Sequence, residues 1–314
     1  MILKNDFHRL MKERKYLILI ILVAFISVFI SAYVATMDTP KLSLGIVGKN
    51  PNQLETSMMN LTKVDKNDRN YYTNLITGKY DAYIIFEKNH YSIETTKGGD
   101  FSKRIASFID GNSSSNNLNS QSKDKYGIVL NLITLSMMIL SLILCKYYFD
   151  ERNGANKRIL LGDISTTRYI FEHMVTIFLL LYSITLLSLF IIFPMFSISL
   201  TTNLIILTGL VIIFSVSFSM FVSSFVKKNQ GALLVGTMLT VITSLISGSI
   251  IAIEKKSFFY PIHFILPQHF ISQMGYFLDG TSNTILLPVL YLSIIIITFS
   301  IVCIQNNKKI IQGR

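Results

Sequence analysis

Six runs of apolar residues dominate the chain, and each reaches or approaches the roughly 20 residues that an α-helix needs to cross about 30 Å of hydrocarbon. They are Tyr16–Thr36, Gly127–Phe149, Tyr169–Phe193, Asn203–Val226, Gly231–Ile253 and Thr284–Ile304. The pattern predicts a membrane all-α fold, a bundle of six transmembrane helices. Composition agrees, because 51% of the 314 residues are hydrophobic and 15% charged, whereas a soluble domain carries about a quarter charged residues. The mean hydropathy is +0.49.

A net charge of +11 raises the question of nucleic acid, and its placement answers it. Met1–Lys15 holds five Lys/Arg against two acids, and Lys146–Glu172 five against four. The Lys227–Lys228 turn holds two against none, and the tail after Ile304 three against none. With six spans these segments share one face, the cytoplasmic one by the positive-inside rule. A cell-membrane, multi-pass protein with both termini cytoplasmic is expected, its charge serving topology and lipid contact and not nucleic acid. Met1–Lys15, with Phe7, Leu10 and Met11 against Arg9, Lys12 and Lys15, is expected as an amphipathic helix on the inner surface. The first apolar run is too long for a signal peptide and is expected to be a retained anchor. Cys145 and Cys303 sit near the cytoplasmic ends of spans and form no disulfide or zinc spacing.

Residues 37–126 lie between the first two spans, on the outer face by this topology, and are long enough for a small extracellular α/β domain. Leu42–Val47, Ala82–Phe86 and Tyr91–Thr95 read as strands, and Tyr71–Ile76 and Phe101–Ile109 as helices. Gly111–Ser122 is a Ser/Asn-rich tether. Gly45-Ile-Val-Gly48-Lys49 invites a phosphate-loop reading, but two residues lie between the glycines where four are needed, and Asn50 follows the lysine.

No Asp, Glu, Lys, Arg or His falls in the centre of any span; Glu172 and His173 come closest, at a cytoplasmic edge. Ion-coupled carriers need such groups at depth, so energy for uphill transport would have to come from another subunit. The histidines, His8, His90, His173, His263 and His269, form no HExxH cluster, and no Gly-x-Ser-x-Gly elbow exists. A catalytic or metal-binding role is not expected. In the fifth span Gly236, Thr240, Thr243, Ser244, Ser247 and Gly248 share a face of small residues, suited either to a dimer or gate interface or to packing within the bundle. The segment 254–283 is aromatic, with bends at Pro261 and Pro267 and a run containing Phe270 that ends at Gly280. It is expected to dip into the outer interface, as an outer gate or as an anchor.

The cytoplasmic segment Asp150–Arg168 lies between the second and third spans. Asp150-Glu151-Arg152 closes the second span, Gly154 breaks the helix, and Lys157, Arg158 and Leu160 give a basic edge beside an apolar one. Ser165 and Thr166 are candidate N-caps. A docking helix and a membrane-hugging connector share this chemistry. The series Glu151-Arg152, Gly154, Lys157-Arg158 and Leu160 resembles the coupling region of ABC-2 type transporter permeases. Ser-Ser-Phe-Val-Lys-Lys at 223–228, Leu-Ile-Ser-Gly at 245–248, Leu-Pro at 266–267 and Phe-Leu-Asp-Gly at 277–280 resemble later landmarks of that family, as does the layout of one span, an exterior domain and five spans. The resemblance implies a permease that pairs with itself or a sister permease and contacts two cytoplasmic ABC ATPase subunits. Those partners would bind ATP and magnesium, and this chain no cofactor. Glu151, Arg152, Gly154, Lys157, Arg158 and Leu160 would form the ATPase contact. Export of a hydrophobic or amphipathic compound, such as a drug, lipid or antimicrobial peptide, is the expected function. The alternative is a receptor or secretion-accessory protein of the phage-infection type, which resembles the same layout and would bind through the exterior domain.

Overall fold

The computed structural model describes residues 8–9, 12–37, 42–47, 59–64, 71–76, 79–86, 91–95, 102, 105–106, 125–154, 165–248, 260–280, 282 and 284–311. The chain divides into two compact units, one formed by Met1–Thr36 with Asp124–Arg314 and the other by Met37–Lys123.

The larger unit is helical. Its elements are α1 (Arg14–Thr36), α3 (Lys125–Leu144), α4 (Lys146–Gly154), α5 (Thr166–Met195), α6 (Thr202–Phe225), α7 (Asn229–Ile246), α8 (Tyr260–His263), α9 (Pro267–Leu278) and α10 (Leu286–Ile311). Six helices are long and apolar enough to cross a membrane: α1, α3 running on into α4, α5, α6, α7 and α10. The chain is a multi-pass membrane protein. Two spans are central, since 67% of the most apolar stretch of α3 and 72% of that of α6 is buried, against 17–33% for the other four. α3 packs on α1, α6, α7 and α9, and α6 on α3, α5, α7 and α10.

Small side chains let the two central helices take so many neighbours. On α6 Thr208, Ser215, Ser217, Ser219 and Ser223 are fully buried. Ser215 Oγ donates to Val211 O at 2.9 Å and Ser219 Oγ to Val216 O at 2.8 Å, so these two hydroxyls are satisfied on their own helix, whereas those of Thr208, Ser217 and Ser223 have no partner among the described residues. Their contribution is close approach rather than inter-helix hydrogen bonding, which is modest in membranes, about 0.6 kcal/mol on average. Ser141 is the exception, sharing its hydroxyl between Met138 O at 2.9 Å and Ser215 O at 3.0 Å across the α3–α6 contact.

Two span ends depart from the sequence expectation. The fifth run was expected to reach Ile253, but α7 stops at Ile246. Ser247 caps it, and Gly248 has φ +72°, a left-handed conformation that glycine adopts without strain. Gly248 is thus a helix terminator and not part of a continuous helix face. The sixth continues helically through Lys308 and Lys309 to Ile311, cations that suit the negative end of a helix dipole. At the third, Ser165 is the N-cap, accepting from Arg168 N–H, and Thr166 is the first helical residue.

The smaller unit holds β1 (Leu42–Val47), β2 (Met59–Lys63), α2 (Tyr71–Ile76), β3 (Ala82–Phe86) and β4 (Tyr91–Glu94). The sheet order is β2-β1-β3-β4. β1 runs parallel to both β2 and β3, with Leu44 opposite Leu61 and Ala82, and β4 is antiparallel to β3. Both faces are covered, as parallel strands require. Leu44, Ala82, Ile84 and Ile105 cluster on one, and Val47, Leu75, Tyr80 and Tyr83 on the other. Gly45 sits within β1, where an added Cβ would lie 2.5 Å from the Tyr83 ring, so its glycine serves packing. The Gly48-Lys49 pair and the 111–122 tether lie outside the described residues, as does most of 101–109, of which Ser102, Ile105 and Ala106 are helical.

Candidate functional site

The helix formed by α3 and α4 carries polar clusters at both ends. Helical hydrogen bonding passes through the joining residue, with Cys145 N–H on Ser141 O at 3.0 Å and Phe149 N–H on Cys145 O at 3.0 Å, so the span and α4 are mechanically continuous.

At the α4 end, Arg152 donates from one guanidinium nitrogen to Ser223 O at 3.1 Å and Val226 O at 2.9 Å. Ser223 lies in the last turn of α6, whose carbonyls lack intrahelical donors, and Val226 is its C-cap. The cation also meets the negative end of the α6 dipole. Its guanidinium carbon lies 5.8 Å from the Phe149 ring centroid and 6.0 Å from that of Tyr148. Tyr148, buried, donates its hydroxyl to Asn307 Oδ1 on α10. Toward the N-terminus Asp150 pairs with Arg9 at 3.5 Å and Lys146 with Glu13 at 3.1 Å. Tyr16 donates to Ile143 O at 2.8 Å. The two ion pairs are partly exposed and worth less than about 1 kcal/mol each. Their role is to register α1 against α4.

Of the residues expected to contact an ATPase, Arg152 is thus turned toward α6. Glu151 and Gly154 lie in the last turn of α4. Lys157, Arg158 and Leu160 lie outside the described residues.

At the Lys125 end, α9 packs against α3 so closely that a Cβ on Gly275 would lie 2.1 Å from Gly127 Cα. Tyr126 N–H donates to Asp279 Oδ2 at 3.3 Å, a carboxylate at the positive end of α3 supplied by a different helix. The small-residue face of α7 packs along α3 and reaches α9 at this end. A Cβ on Gly236 would lie 2.5 Å from Leu142 Cδ1, Thr240, Ser244 and Ser247 are buried, and Thr243 Oγ1 accepts from Gln268 Nε2 at 2.8 Å. The stripe is occupied within the chain, while Leu234, Met238, Val241 and Ile242 on the other side of α7 are exposed.

The aromatic segment forms α8 and α9. Pro261 lies in α8, and Pro267 at the first turn of α9, where its missing N–H costs nothing. Phe270 stacks on Tyr291 of α10 at 3.9 Å, and Gly280, with φ +73°, ends α9 in open space. His263 and His269, whose ring centroids are 4.7 Å apart, pack among Tyr260, Phe264 and Phe270. Burial, and secondarily His263, lowers the pKa of His269 below its ordinary value. Gln273 Nε2 lies 3.0 Å from His269 Nε2, a contact that fits a neutral ring accepting from the amide. Among the described residues no three His, Cys, Asp or Glu side chains could together hold a metal ion.

Several partnerships in these clusters leave no signal in the sequence: Arg9, Glu13 and Lys146 contribute to it only as charge and Tyr148 only as part of an apolar run, and Asn131, Gln268, Ser272 and Asn307 are neutral polar residues at no telling spacing. Comparison with models of protein families, with curated proteins and with solved structures found no match to this chain.

Proposed function

We propose that this chain is the permease subunit of an ATP-driven exporter of the ABC-2 type, paired with itself or a sister permease and driven by separate cytoplasmic ATPase subunits. It would move a hydrophobic or amphipathic compound outward. The observation that carries this reading is the Arg152 contact, two hydrogen bonds that fasten α4 to the end of the central span α6. A partner pushing on the segment beyond Gly154 would move α4, and with it α3 and α6, the two buried helices of the bundle. Among the described residues no Asp, Glu, Lys or Arg lies in the middle of a span, and His173, buried beside Tyr148 and Tyr169, sits toward the Thr166 end of α5, which favours an external energy source.

In this arrangement the N-terminus, Asp150–Arg168 and Lys308–Lys309 face the cytoplasm, and the sheet-containing unit is extracellular. That unit's separate cores also support the receptor reading, in which the bundle is a mount. Two measurements separate them. A membrane-impermeant maleimide should label Ser120→Cys in intact cells and Ser165→Cys only after permeabilisation, since native Cys145 and Cys303 are buried. The purified chain should bring with it an ATPase carrying a Walker A motif. Reversed labelling, or purification with no ATPase and unchanged efflux after deletion, would sink the export reading.

A further inference from the structure

The junction of α3, α7 and α9 is polar and incomplete. Asn131 Nδ2 donates to Ser272 Oγ at 2.8 Å, and Gln268 Nε2 to Thr243 Oγ1 at 2.8 Å. The hydroxyl protons fix these directions. Ser272 donates to Gln268 O at 3.2 Å and Thr243 to Leu239 O at 2.7 Å, so each hydroxyl is left to accept and each amide must present its nitrogen. Asn131 Oδ1 and Gln268 Oε1 are then buried without a partner among the described residues. The two residues are only 8% and 3% exposed. Turning either amide over strands its nitrogen instead, so the deficit belongs to the site and not to a choice of rotamer. Lipid offers no compensating hydrogen bond, and although the Thr208, Ser217 and Ser223 hydroxyls of α6 are also unpartnered among the described residues, this junction brings two amide oxygens together.

We propose that this junction binds an amphipathic molecule that presents neutral hydrogen-bond donors, hydroxyl or amide N–H, to the amide oxygens of Asn131 and Gln268. The donors are neutral because α3, α7 and α9 carry no carboxylate within the cluster to offset the desolvation of an ammonium. Asp279, at the end of α9, is engaged by the Tyr126 N–H. The molecule is amphipathic because of where the acceptors lie. Asn131 is about 9 Å along α3 from Lys125 at 1.5 Å per residue, a depth at which a headgroup can enter while its chains remain in lipid.

The site shares the bilayer placement of the proposed function and adds the class of compound held; binding needs neither nucleotide nor ATPase. The test uses the purified full chain in nanodiscs with a ceramide carrying a diazirine in its acyl chain, compared with the same ceramide methylated at its hydroxyls and amide nitrogen. Adducts are mapped by mass spectrometry. The unmethylated probe should label α3, α7 and α9 on the order of tenfold more strongly, the ratio of one well-made hydrogen bond. Asn131→Leu with Gln268→Met should reduce its labelling to the level of the methylated probe. Equal labelling by the two probes in the wild-type chain overturns the proposal and leaves the amides with water alone; it leaves ATPase coupling untouched. Discrimination that persists in the folded double variant overturns the assignment to these two residues. The wild-type comparison stands even where a variant does not fold.

Discussion

The two ends of the α3–α4 helix solve the same problem in opposite ways. At the Arg152 end the charged and aromatic side chains find partners: Arg152 meets the carbonyls at the end of α6, Tyr148 meets Asn307, and Asp150 and Lys146 meet Arg9 and Glu13, while the small hydroxyl of Ser223 is left without one among the described residues. At the Lys125 end Asn131 and Gln268 each spend only half of their amide. A closed polar cluster fixes its helices in register, whereas an open one adds desolvation cost without completing the bonds that would offset it. The first suits transmission of force, and the second suits reception of a ligand.

The contrast can be broken most severely at the close contact that brings α9 to α3. Gly275→Ala places a Cβ against the backbone of Gly127 at 2.1 Å, and backbone cannot yield as a side chain does. Destabilisation of about 1–3 kcal/mol is expected, read by thermal unfolding in detergent. Gly236→Ala, whose neighbour is the tip of Leu142, should cost less.

Arg152→Met tests the closed end. Loss of charge-assisted hydrogen bonds to Ser223 O and Val226 O should cost about 2 kcal/mol, seen in the same unfolding assay, with faster hydrogen exchange at the end of α6. Asn131→Leu tests the open end and should go the other way. Removing a half-satisfied amide in favour of an apolar side chain of similar size is expected to be neutral or to stabilise by about 1 kcal/mol. A large loss in Asn131→Leu would remove the contrast.

The smallest effect expected is that of pH on α9. The pKa of His269 is lowered in the folded chain, so its stabilising contribution is fully present above the ordinary value of 6.5 and is lost as the pH falls through the lowered one. The neighbours that its ring meets are His263 and Phe264 from the α8 side and Phe270 and Gln273 on α9, with no carboxylate among them to welcome the proton. Protection from hydrogen exchange in residues 267–278, referred to the intrinsic rate at each pH, should therefore fall between pH 7 and pH 5, and His269→Gln should flatten that dependence.

Much of the bundle is legible in the sequence because a span is set by length and hydropathy, which are local. Where a local device overrides hydropathy, reading fails. The apolar run continues past Gly248 to Ile253, but the left-handed conformation at Gly248 ends α7 seven residues earlier. β2 is not legible in the sequence because Met59–Lys63, MNLTK, has neither β-branched density nor clear alternation, and its pairing with β1 comes from the tertiary fold. The site was only half visible. A search for ionisable groups finds Arg152 and misses Asn131, although in hydrocarbon a stranded amide is also conspicuous. The partners of Arg152 and Tyr148 stand 71 to 159 positions away in the chain, beyond the reach of any spacing rule.

The central claim is that the segment beyond α4 receives work from an ATPase. The most direct measurement is ATP hydrolysis by the complex purified through this chain, comparing wild type with Glu151→Lys combined with Arg158→Glu. Hydrolysis that accompanies the wild-type chain and is lost from the double variant, with the bundle still folded, is the expected result. Equal hydrolysis and equal export by the two would contradict the account.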